Sequence, residues 1–185
     1  DAGQDNLQPG HPYEFLDPVS ARTAPADYGW PACEENQHAY TANANCSGVV
    51  VPALVFPAYS TIIGAAFYPG GAGGAYAFPT AWRGGLYVSL HGSWHSNGNV
   101  PIAPPHVAFV PFNGSSPLRP VNWSDPTAQW NEFFAGLQQA SGTRIGRTTG
   151  VAVGAEGSLF IADDQSGSIY RIRPTGGNPS SDLRR

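Results

Sequence analysis

The clearest alternation of apolar and polar positions lies near the C-terminus, across residues 150–173. Three short apolar runs, 151–153, 159–162 and 169–172, are separated by Ala155-Glu156-Gly157 and Gln165-Ser166-Gly167. β-Branched and aromatic residues suit strands, and the glycine in each break supplies the positive φ of a tight hairpin. The pattern predicts a three-stranded β-meander, the unit of a propeller blade. Upstream, runs at 62–68, 86–90 and 107–112 predict further strands, and 130–137 reads as a short strand or a single helical turn. The apolar run 49–56 is flanked and broken by Pro57 and Pro52, which confines it to an edge or irregular strand.

A faint internal repeat distinguishes a propeller from a β-sandwich, which would give a similar number of strands. Residues 85–89 (GLYVS) parallel 158–162 (SLFIA), and 107–110 parallel 169–172, with an insertion at 92–105 in the first copy. The expected architecture is all-β, with antiparallel propeller-type blades, in one segment. Residues 1–60 are loop-rich, 61–174 form blades and 175–185 are a polar tail.

Composition narrows the function classes. The 185 residues carry 23 Gly and 18 Pro, yet 41% are apolar, which points to short strands and ordered loops rather than disorder. The formal charge is −4 with no basic run, against a nucleic-acid partner. No run of 18 apolar residues is available to span a membrane. All nine cations are Arg and Met is absent even at position 1, so a processed chain or a piece of a longer one is expected. Cys33 and Cys46 flank a polar loop, and sequons begin at Asn45, Asn113 and Asn122. Together they favour a secreted, glycosylated protein with one disulfide over free thiols and bare loops.

Several motifs invite a chemical reading. His91 and His95 have the four-residue spacing of a helical metal pair, but Gly92 and the preceding strand place them in a loop, against zinc. Ser93 lies in Gly-Ser-Trp rather than G-x-S-x-G, against a serine hydrolase. Asp163-Asp164 at a strand end, before Gln165-Ser166-Gly167, reads as an Asx-type turn.

Four motifs occur in an order that resembles the soluble quinoprotein glucose/sorbosone dehydrogenase family. They are Asp1–Leu7 with Tyr28-Gly29-Trp30-Pro31; Leu86-Tyr87-Val88-Ser89-Leu90-His91-Gly92-Ser93-Trp94; Gly146-Arg147 ahead of Gly150-Val151-Ala152-Val153; and the run 159–172. The resemblance implies about half of a six-bladed propeller that binds pyrroloquinoline quinone (PQQ) and Ca²⁺ at its axis and oxidises sugars or related aldehydes. It implies Ca²⁺ on the carbonyls of Gly3 and Gln4, His91 and Trp94 beside the quinone, and Arg147 pairing with a quinone carboxylate. A second, structural Ca²⁺ site would involve Glu14 and Tyr28. The family's catalytic base and two quinone-holding residues fall outside this chain, so no catalytic residue is expected within it. The chain departs from the family pattern at Gln4, at His95-Ser96 in place of Asn-Arg, and at Thr148 in place of Pro.

The expected partners are a sugar or aldehyde substrate and an N-terminal companion chain or second copy that completes the propeller. The reading from a different class is a non-catalytic secreted glycoprotein of propeller type that binds glycans or a protein.

Overall fold

A computed structural model describes residues 12–19, 26–33, 36–98 and 100–175. Among these residues twelve strands occur in chain order: β1 (Glu14–Leu16), β2 (Leu54–Phe56), β3 (Ile62–Tyr68), β4 (Gly85–Leu90), β5 (Ser96–Asn97), β6 (Val100–Pro101), β7 (His106–Asn113), β8 (Ser116–Pro117), β9 (Asn131–Phe134), β10 (Thr148–Val153), β11 (Leu159–Asp163) and β12 (Ser168–Ile172). Among the described residues the only helical element is the 3-10 turn Thr80–Trp82. No described helix is long and apolar enough to cross a membrane.

The strands form two blades and the start of a third. The first blade is the antiparallel sheet β3-β4-β7-β9, extended at one end by β8. The second is the meander β10-β11-β12, and the pair β1-β2 lies on the opposite side of the first. The sequence repeat has a structural meaning: β4 and β11 are second strands of their blades, and β7 and β12 are third strands. The run 130–137 resolves as strand β9, because its backbone pairs with β7. The polar N-terminal stretch hides β1, whose partner β2 lies some forty residues downstream, beyond local pattern reading.

The first blade is buried on both faces, which is why β4 reads as a continuous apolar run with all six residues buried. Side chains alternate across the sheet. Leu86, Val88, Leu90, Ala108 and Val110 pack towards Leu54 and Phe56 on the β1-β2 side. Tyr87, Val107 and Phe109 pack towards Leu159 and Ile161 of the second blade. The second cluster is aromatic: the Tyr87 ring lies 4.8 Å from Phe133 and 4.9 Å from Phe109, in tilted or edge-on pairs. Each such side chain contributes roughly 1.5–3 kcal/mol by burial.

The blades meet where β3 crosses β10. A β-bulge interrupts each strand there, between Ile62 and Gly64 and between Thr148 and Val151. A Cβ on Gly64 would lie 2.1 Å from the Thr149 carbonyl oxygen, so only glycine permits this approach. The β3–β4 connection leans on the second blade as well. Tyr76 N–H donates to the Glu156 carbonyl (2.9 Å), and the guanidiniums of Arg171 and Arg173 lie over the Tyr76 ring at 4.8 and 5.0 Å. The buried Tyr68 hydroxyl donates to the Gly157 carbonyl (2.8 Å) and accepts from Phe78 N–H (2.9 Å). Cys33 and Cys46 are disulfide-bonded and close the long β1–β2 excursion locally.

Candidate functional site

Strand polarity gathers one end of both blades into a single region. The end of β4, the starts of β3, β7 and β10 and the end of β11 lie together, since Leu90 pairs with Ile62 and His106, and Thr148 pairs with Asp163. His91 follows β4, and Arg147 immediately precedes β10.

The backbone around His91 is held from below by the turn before β3. His91 N–H donates to the Thr61 carbonyl (2.9 Å) and Gly92 N–H to the Ser60 carbonyl (2.8 Å). That turn contains two non-glycine residues in the left-handed region, Tyr59 (φ 67°) and Thr61 (φ 52°), a conformation that costs about 1 kcal/mol or more each. Gly92 itself has φ 82°, and a Cβ there would meet the Pro105 backbone at 2.8 Å. The chain turns sharply away at this point into the β5-β6 hairpin.

Arg147 crosses from the second blade to this turn. Its Nε donates to the His91 carbonyl (3.1 Å) and its Nη2 to the Gly92 carbonyl (2.8 Å). Nη1 has no hydrogen-bond partner among the described residues, so the fork keeps donors for an anion. Thr148, where the sequence resemblance has proline, is fully buried, and its hydroxyl is shared between the carbonyls of Leu90 (2.8 Å) and His106 (3.1 Å). The departure therefore stitches β10 to the first blade.

The two aspartates divide their labour. Asp163 is 3% exposed and accepts from the N–H groups of Arg147, Gln165 and Ser166 and from the hydroxyls of Ser166 and Tyr170. Burial alone would raise its carboxyl, but the donors from Arg147, Ser166 and Tyr170 hold it down at about 2. It serves the Asx-type role read from the sequence. A Cβ on Gly146 would come within 2.0 Å of the same carboxylate, so the residue before Arg147 must be small. Asp164 instead reaches across the seam, with its two oxygens 3.1 and 3.2 Å from Nε2 of His91. Its own N–H donates to the Arg147 carbonyl (3.2 Å). Sequence reasoning missed this role, since no spacing signal connects positions 73 apart.

Of the sequence-derived candidates, the structure brings His91 and Arg147 together. It leaves Trp94 83% exposed on the hairpin side. His95 packs edge-on against Tyr59 at 5.5 Å. Gly3 and Gln4 lie outside the described residues. Glu14 is buried in β1 and Tyr28 is half-buried, and among the described residues no three His, Cys, Asp or Glu side chains gather as a metal site. Asn45, Asn113 and Asn122 are all exposed. Beside the His91 turn lies a cleft of about 600 Å³ lined by Tyr59, Ser60, Ile102, His106 and Trp130. His106 is buried there, which lowers its pKa, and its Nδ1–H donates to the Pro104 carbonyl.

Known structures share this arrangement of blades. The calcium structure of a family AA12 carbohydrate-active enzyme from Trichoderma reesei superposes with a TM-score of 0.67 at 20% identity, over 91% of this chain and 45% of that one. The holo form of the PQQ domain of a pyranose dehydrogenase from Coprinopsis cinerea gives 0.64 at 20% identity, over 89% and 45%. A glucose dehydrogenase gives 0.52 at 18% identity, over 81% and 34%. No curated protein matches the chain. The chain thus has the all-β, propeller-type fold of PQQ domains and spans less than half the length of the structures it matches. A family model described as TrAA12-like matches residues 30–175, and with most of its length inside that match the chain belongs to the TrAA12-like family.

Proposed function

We propose that this chain is part of a secreted quinoprotein that oxidises a sugar or sorbosone-type aldehyde, with PQQ and Ca²⁺ as cofactors. The observation that carries the reading is the joint placement of His91 and Arg147 at the seam of two blades in a TrAA12-like chain. The donor set fits the cofactor: Arg147 keeps an unpartnered Nη1 for a carboxylate, and its other nitrogens are fixed on two carbonyls, so the fork is pre-organised. When bound, PQQ supplies the two-electron oxidant, with Ca²⁺ polarising its quinone oxygens. Arg147 would anchor one carboxylate with His91 beside it, while the sequence resemblance assigns Trp94 to the quinone and the carbonyls of Gly3 and Gln4 to Ca²⁺, a cation that prefers oxygen ligands.

Activity requires completion by the remaining blades. The first blade shows Phe67 at 63% and Ile63 at 50% exposure, beside an apolar cleft of about 400 Å³ that includes Leu16, Ala65, Phe67 and Phe112. An N-terminal companion, or a second copy, would bury this surface. The disulfide and the three exposed sequon asparagines support an extracellular, glycosylated protein.

Quinone titration of the protein with Ca²⁺, followed by absorbance, tests the reading. Stoichiometric uptake that Arg147→Ala abolishes is expected, with dye-linked sugar oxidation only in the completed propeller. Turnover by the 185-residue chain alone would overturn the completion requirement. The exposed Trp30 (74%) and Trp94 (83%) favour, as a second reading, a non-catalytic glycan binder. Carbohydrate binding without quinone uptake would select it.

A further inference from the structure

A carboxylate can only accept hydrogen bonds. Both oxygens of Asp164 lie within hydrogen-bond distance of one nitrogen of His91, at 3.1 and 3.2 Å from Nε2. The hydrogen of the neutral ring must therefore sit on Nε2, and the lone pair on Nδ1. Nδ1 has no hydrogen-bond partner among the described residues, although the His91 side chain is only 15% exposed. We propose that Asp164 is a positioning residue, which fixes the hydrogen of His91 on Nε2 so that Nδ1 is offered to a hydroxyl of the bound sugar. This deepens the functional reading above and rests on it for the identity of the ligand.

The surroundings of the pair support this division. Asp164 comes from the second blade and His91 from the first, so the contact forms only where the seam is closed. The Asp164 backbone is fixed on the Arg147 carbonyl, and the Arg147 guanidinium is fixed on the His91 and Gly92 carbonyls. Ring, carboxylate and cation thus hold one another in a closed circuit. The donors in this circuit face different ligand chemistries. Arg147 has only hydrogens to give and suits a carboxylate, whereas the neutral His91 ring has only a lone pair to give and suits a hydroxyl. Quinone oxygens and carboxylates are acceptors, so the neutral ring selects the substrate side of the site.

The test reads the tautomer directly in the quinone-free native protein. Histidine is ¹⁵N-labelled and observed at about pH 9, where an imidazole carries one hydrogen. The His91 signal is assigned by its loss in His91→Gln. Expected is an Nε2–H ring in the wild type, a shift towards Nδ1–H in Asp164→Asn, whose amide can donate, and a return in Asp164→Glu. Asp164 is 56% exposed, so an unchanged melting temperature will confirm that these variants fold. In the completed enzyme, kcat of Asp164→Asn is expected to fall about tenfold while quinone affinity stays within about twofold. An Nδ1–H ring in the wild type, or an identical tautomer in Asp164→Asn, would overturn the proposal. The expected tautomers in a protein that takes up no quinone would support the role of Asp164 and overturn the quinoprotein reading instead.

Discussion

Arg147 spans the seam between two blades to donate to the backbone carbonyl of His91, at 3.1 Å from Nε. A lysine cannot reproduce the planar fork that holds this carbonyl and that of Gly92 together. Arg147→Lys is expected to lower quinone affinity at least tenfold and to destabilise the fold by about 1–2 kcal/mol. Quinone titration and urea denaturation, run on the same preparation, check both effects.

Acid should weaken the fold in two stages. Burial lowers the His106 pKa below its usual 6.5, so the unfolded chain takes up a proton there before the folded one does. Stability from this group is present above 6.5 and falls as pH drops below it. Asp163, depressed to about 2 from 3.8, adds a second loss as pH falls from roughly 4 to 2, on the order of 2 kcal/mol in all. His106→Gln should flatten the upper stage of a melting-temperature profile against pH and leave the lower one. A profile with the lower stage missing in the wild type would contradict the role given to Asp163.

The crossing of β3 over β10 tolerates no side chain at Gly64. Gly64→Ala places a Cβ against the backbone oxygen of Thr149 and must push the blades apart. A loss of about 2 kcal/mol or more is expected in chemical denaturation. Gly71→Ala, with open space around its Cβ position, serves as the control and should change little.

Tyr68→Phe removes one oxygen and leaves two buried groups, the Gly157 carbonyl and the Phe78 N–H, without a partner. The expected cost is about 1–3 kcal/mol, read by thermal unfolding. A neutral result would mean that water replaces the hydroxyl.

The disulfide closes a loop with a sequence separation of 13. Replacing both cysteines with alanine should cost about 3 kcal/mol by the loop-entropy argument. Because the bridge lies in the β1–β2 excursion, the His91 tautomer should be unaffected.

The blades were legible in the sequence because their strands are short, apolar and repeated: GLYVS and SLFIA occupy equivalent second strands. β1 was not, because its three residues sit in polar surroundings and find their partner only through a long excursion. His91 and Arg147 could be proposed from motifs, since each lies directly beside a strand. Asp164 could not, because neighbouring aspartates look alike in sequence and only the seam decides that one turns inward to the hairpin while the other faces a histidine from another blade.

The connection between β3 and β4 has a practical consequence. It is rooted in one sheet at both ends and rests its middle on the other, through Tyr76 and Glu156. The gap between blades is therefore no place to cut the polypeptide. A fragment ending before β10 would leave the Tyr76 ring without the guanidiniums above it and the Tyr68 hydroxyl without its Gly157 acceptor, so any expressed piece must run unbroken from β3 through β12. Backbone amide exchange should report both sheets opening in a single event.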